Sequence, residues 1–92
     1  MESQDIAERL AGLDGWTLTL EGKAITRHFA FKGFAKAVEM ANLAAWLGNK
    51  RGHHPDVAFG WGYCQVTFTT HDAGGLTDAD FTAAAHLDAL LR

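Results

Sequence analysis

Cysteine and proline are almost missing from this chain, with one of each in 92 residues. A lone Cys64 excludes an intrachain disulfide, and its place in the alternating run Cys64-Gln65-Val66-Thr67-Phe68 predicts a packed thiol. The single proline, with 48% hydrophobic and 21% charged residues, argues against disorder and low complexity. Basic charge is also scarce. The net charge is −3 and the eight Lys and Arg residues are scattered, which disfavours direct binding of nucleic acid. No apolar run is long enough to span a bilayer, and the start MESQDIAERL lacks the apolar core of a signal peptide, so a cytoplasmic protein away from membranes is expected. The length suits one core and one domain over 1–92. So small a core, with no disulfide or obvious metal cluster, makes a homo-oligomer the expected further source of stability.

What is present is a clear alternation of patterns. Residues 3–11 carry Ile6, Ala7, Leu10 and Ala11 at helical spacing behind Ser3, which predicts a short amphipathic helix entered through a serine cap. Trp16, Leu18 and Leu20 alternate with threonines, and after the turn-like Glu21-Gly22-Lys23 a second alternating run begins at Ile25, so a β-hairpin is expected. From Phe34 to about Lys50 the chain is rich in Ala, Leu, Met and Glu, with Phe34, Val38, Ala41 and Ala45 at helical spacing and Gly52 just beyond; this is the principal helix. Val57-Ala58-Phe59, the tight Gly60-Trp61-Gly62 and the run Tyr63 to Thr70 make a second hairpin. After the loop Ala73-Gly74-Gly75, read as flexible, Thr77-Asp78-Ala79-Asp80 opens a last amphipathic helix. The order αββαββα implies an α+β fold, a four-stranded antiparallel sheet with helices packed on one face. Phe29, Phe31, Phe34, Trp46 and Phe68 are expected mostly in the core, with Trp61 in its glycine-flanked turn open to a stacking role.

The chemistry concentrates at Gly52-His53-His54-Pro55, two adjacent imidazoles at the end of the long helix. If the second hairpin turns at Trp61, residues whose numbers sum to about 122–124 lie opposite one another, and His53 faces Thr70 and His71. Three imidazoles then meet at the open end of one hairpin. Such a cluster can exchange protons near neutrality, it can be an unrelated set of surface or core histidines, or it can hold a metal. The metal reading is the weakest, because adjacent residues of an extended chain point to opposite sides and no HxxxH or HExxH spacing occurs. Asp80, three residues after Thr77, sits where a carboxylate caps a helix, and from there it can also orient one of the histidines. His28 and His86 have no evident partner and are read as packing or surface residues.

His53-His54-Pro55, then Trp61, His71 and Asp80 at this spacing, together with Phe29-x-Phe31-x-x-Phe34 upstream and Thr70-His71-Asp72-Ala73-Gly74-Gly75-Leu76-Thr77, resemble the pterin-4a-carbinolamine dehydratase family over roughly residues 22–91. The resemblance implies the αββαββα fold, pairing through the sheet into dimers and often dimers of dimers, and an activity without metal or organic cofactor. That activity is loss of water from 4a-hydroxytetrahydropterin to give quinonoid dihydropterin, in tetrahydropterin recycling. By resemblance His53 and His71 do acid-base work, His54 binds substrate with a share in proton transfer, and Asp80 orients a histidine or holds the electrostatics. Pro55, Trp61, Thr70 and Asp72 join His54 in substrate binding. Two positions depart from the family pattern. Asn49 stands where many members carry an acidic residue or lysine, and Val57 where many carry tryptophan. The resemblance also leaves open a stabilising or dimerisation cofactor for a protein partner, and a dehydratase-like role in another, molybdopterin-related pterin pathway.

Overall fold

In the computed structural model, which describes residues 1–91, helix α1 (Ser3–Ala11) leads into strands β1 (Trp16–Thr19) and β2 (Ala24–Ala30). Helix α2 (Ala35–Arg51) comes next, then strands β3 (Asp56–Gly60) and β4 (Tyr63–Phe68), a short 3₁₀ turn (His71–Ala73) and helix α3 (Asp78–Leu90). The sheet is antiparallel in the order β1-β2-β4-β3, and the helices lie on one face. The expected α+β architecture is the one found.

Alternation decides the two faces. Ile25 and Phe29 of β2 and Cys64, Val66 and Phe68 of β4 are buried beneath the helices, whereas Thr26, His28, Gln65 and Thr67 point to the open side. Burial raises the pKa of the Cys64 thiol, which keeps it unreactive. His28 stacks on Tyr63 on the open side, with ring centroids 5.7 Å apart. Along α2 the buried stripe is Ala37, Met40, Ala41, Ala44, Leu47 and Gly48. This is a helical period rotated from the expected Phe34-Val38-Ala41-Ala45 line, because the small residues at 37, 44 and 48 let the backbone approach the sheet. The aromatic expectation is corrected accordingly. Phe29 and Phe68 are core, but Phe34 and Trp46 are about half exposed and Trp61 is 73% exposed. Phe34 rests on Phe59 and Trp46 carries the Lys50 ammonium over its ring. The serine cap is also corrected. Ser3 lies inside α1, and Glu2 holds the cap position without a side-chain bond.

One polar cluster ties the sheet to α3. Buried Asp88 accepts the Trp16 indole N–H at 3.0 Å and an Arg27 guanidinium N–H at 2.7 Å. Replacing Asp88 with alanine leaves that indole donor and Arg27 without their acceptor, and is expected to cost about 2–3 kcal/mol in urea unfolding. An unchanged midpoint would show that water replaces the carboxylate.

Candidate active site

The site begins with the way α2 stops. Gly52 takes the left-handed conformation at φ 66°, and its N–H and that of His53 return to the carbonyls of Asn49 and Gly48. This is a Schellman ending, and it fixes the His53 backbone against the last turn of the helix. Gly48 makes room for the 53–55 segment to lie against the helix. A Cβ there would lie 2.7 Å from Pro55 Cδ and 3.3 Å from His54 Cα. Gly48→Ala is therefore expected to push that segment away and to cost about 1–3 kcal/mol. Thermal unfolding and the NMR shifts of His53 and His54 measure it; unchanged shifts would mean that the contact yields elsewhere.

The β3–β4 register brings the second half into place. Asp56 pairs with Thr67 and Val57 with Val66, so paired numbers sum to 123 and the chain beyond β4 returns beside His53. Here the loop expected to be flexible is closed. Thr70 and Gly75 exchange two backbone hydrogen bonds at 3.3 Å, and the N–H groups of Ala73 and Gly74 return to Thr70 and His71. Gly74, at φ 72°, supplies the left-handed residue this turn needs.

Behind these loops sits Asp80, fully buried at the start of α3. Its Oδ2 accepts the Thr77 backbone N–H at 2.9 Å, closing a capping box, and the Thr70 hydroxyl at 2.8 Å. Its Oδ1 lies 2.5 Å from His53 Nε2. With the carboxylate accepting from three sides, Nε2 is the protonated nitrogen of His53 and Nδ1 is left to exchange. The Thr70 hydroxyl has spent its one proton on Asp80, so in the 2.8 Å contact between the two hydroxyls Thr77 donates. Phe68 lies parallel to the His53 ring at 6.0 Å. One imidazole is thus held by a carboxylate, a packed ring and the helix cap.

Gly52, His53, His54, Thr69, Thr70, His71 and Asp72 line one open cleft of about 260 Å³. His53, His54, His71, Thr70 and Asp72 therefore share a cavity, with Asp80 behind it. Pro55 is spent on packing against Gly48. Trp61 is not brought to the cleft. It occupies the turn at the far end of the hairpin, roughly 20 Å away at about 3.3 Å per residue. His86 lies on α3, where Nδ1 meets an Arg51 guanidinium N–H at 3.2 Å, which makes the imidazole nitrogen the acceptor. Sequence reasoning missed Gly48, Thr77 and Phe68 as supports of the site and treated Asn49 only as a departure. Its Oδ1 is 3.1 Å from His54 Nε2. A signal for Thr77 was available, since the Thr-x-x-Asp cap put its hydroxyl beside Asp80. Among the described residues no group of three or more His, Cys, Asp or Glu side chains is arranged to hold a metal ion, and no helix is long and apolar enough to cross a membrane.

Fold and site together define a class, a small α+β protein with an imidazole–carboxylate cleft at the open end of its second hairpin. The family described as pterin 4 alpha carbinolamine dehydratase matches residues 1–90, and the chain belongs to that family. A Paracoccus denitrificans protein named as a candidate pterin-4-alpha-carbinolamine dehydratase is 48% identical over 97% of this chain and 83% of its own. One of the same description from Nitrosospira multiformis is 37% identical over 100% of this chain and 80% of its own. Among solved structures, a transcriptional coactivator/pterin dehydratase from Brucella melitensis superposes with a TM-score of 0.88 at 34% identity, covering 97% of this chain and 95% of that one. A pterin dehydratase-like RuBisCO assembly factor of the alpha-carboxysome superposes at 0.67 with 26% identity, covering 83% and 88%.

Proposed function

We propose that this protein removes water from 4a-hydroxytetrahydropterin by histidine acid-base catalysis, giving quinonoid dihydropterin in tetrahydropterin recycling. The observation that carries the reading is the cleft in which His53, backed by buried Asp80, meets His54 and His71. The reaction breaks the bond from C4a to the hydroxyl oxygen. A proton must reach that oxygen, and one must leave the neighbouring ring nitrogen as the C=N bond forms. Imidazoles in opposite protonation states serve both needs without a metal or organic cofactor. His53 and His71 do this acid-base work, with their individual roles exchangeable, and His54 binds substrate with a share in proton transfer. Thr70 and Asp72 contribute polar contacts to the pterin. Asp80 orients His53 and holds the charge of the site.

A stable reduced pterin titrated at millimolar concentration tests the substrate class. Resonance shifts concentrated at 52–54 and 69–72 support it; shifts elsewhere only, or none, overturn it. The second reading is a protein-partner role, alongside a cytoplasmic homodimer or homotetramer, and half-exposed Trp46 with the Phe34–Phe59 pair favours it. The names of the two structural neighbours are compatible with such a role.

A further inference from the structure

The two adjacent histidines are held by acceptors of different charge. His53 Nε2 meets the buried carboxylate of Asp80 at 2.5 Å, whereas His54 Nε2 meets the amide oxygen of Asn49, one turn back along α2, at 3.1 Å. An amide oxygen accepts and cannot donate, so the nitrogen facing it carries a proton. Neutral His54 then keeps its hydrogen on Nε2 and offers Nδ1 as a lone pair. The Asp80 carboxylate accepts from Nε2 and carries a negative charge; the Asn49 amide accepts and carries none. His54 shares its cleft with His53, His71 and Asp72, and Asp56 follows two residues on, at the start of β3. The helix cations beside it are engaged elsewhere, with Lys50 over the Trp46 ring and Arg51 on His86.

We propose that Asn49 is a positioning residue that locks neutral His54 in its Nε2–H form, so that Nδ1 is presented as a hydrogen-bond acceptor for a substrate N–H. The tautomer lock follows from the contact alone, while its use in catalysis rests on the dehydratase reading. A charged residue at 49 would not serve equally. Lysine reverses the hydrogen bond and demands a lone pair from Nε2, and a carboxylate keeps the bond but favours the imidazolium, whose Nδ1 donates. The lock therefore makes Asn49 a determinant of which substrate edge His54 can read.

The test is heteronuclear NMR of the histidine rings in the whole protein, near neutral pH and without substrate, on wild type, Asn49→Ala and Asn49→Asp. Expected are a predominantly Nε2–H His54 in wild type, a mixture of tautomers in Asn49→Ala, and a shift toward the imidazolium in Asn49→Asp. Both substitutions lie on an exposed helix position, so the fold is retained. In the dehydration assay Asn49→Ala should lower kcat/KM about tenfold, the scale of one lost orienting hydrogen bond. A His54 tautomer indifferent to Asn49→Ala overturns the proposal. A tautomer that responds in a protein without dehydratase activity upholds the lock and defeats the dehydratase reading instead.

Discussion

Asp80→Ala is expected to reduce both stability and turnover, and by amounts that separate its two roles. The substitution strips the acceptor from the Thr77 N–H, the Thr70 hydroxyl and His53 Nε2 in a place closed to water. Half-buried donors left unsatisfied and a lost cap together should cost about 2–4 kcal/mol, a large share of the ~5–14 kcal/mol expected for a domain this size. The untethered His53 should lower carbinolamine dehydration by about 10²-fold or more. Asp80→Asn fills the same space and retains an amide oxygen, but turns an NH₂ toward groups that themselves donate. It should keep more of the stability than alanine and still lose most of the turnover. Urea unfolding and the dehydration rate measure the two effects. If Asp80→Ala loses stability and keeps its rate, the carboxylate is a helix cap and nothing more.

His71→Ala should show the opposite balance. This imidazole is exposed on the 3₁₀ turn and has no hydrogen-bond partner among the described residues. Its removal should leave stability within about 0.5 kcal/mol while turnover falls about 10²–10⁴-fold, the contribution of a well-placed acid or base. His53→Ala should lose turnover on the same scale and, unlike His71→Ala, also lose stability, because it leaves Asp80 buried with one oxygen unpaired. The double variant should be little slower than the slower single, since groups that act as a unit are not additive. Additive losses would mean that the two imidazoles act in separate steps.

Much of this was legible because it depends on local rules. Period-2 runs gave the four strands, the apolar helical run closed by Gly52 gave α2, and a tight turn at Trp61 set a register that carried His71 to His53. The Thr-x-x-Asp spacing located the cap of α3 and, with it, the carboxylate behind the histidines. The rest depended on how elements pack. Which stripe of α2 faces the sheet is decided by the small residues at 37, 44 and 48, and that choice put Phe34 and Trp46 outside. The Gly48–Pro55 contact and the Asn49–His54 bond require the helix ending and the next loop to be seen together. Trp61 went the other way, because the same register that joins the histidines sends the hairpin turn to the opposite end of the sheet.

The central claim is that the imidazole–carboxylate cleft does proton chemistry on a pterin carbinolamine. The most direct measurement is the rate at which freshly generated 4a-hydroxytetrahydropterin loses water, followed by absorbance, with wild type beside folded His53→Ala and His71→Ala. Wild type should exceed the uncatalysed rate clearly, and both variants should lose most of that gain. Wild type no faster than buffer, or variants as fast as wild type, would contradict the claim and turn attention to the exposed aromatic residues and a protein partner.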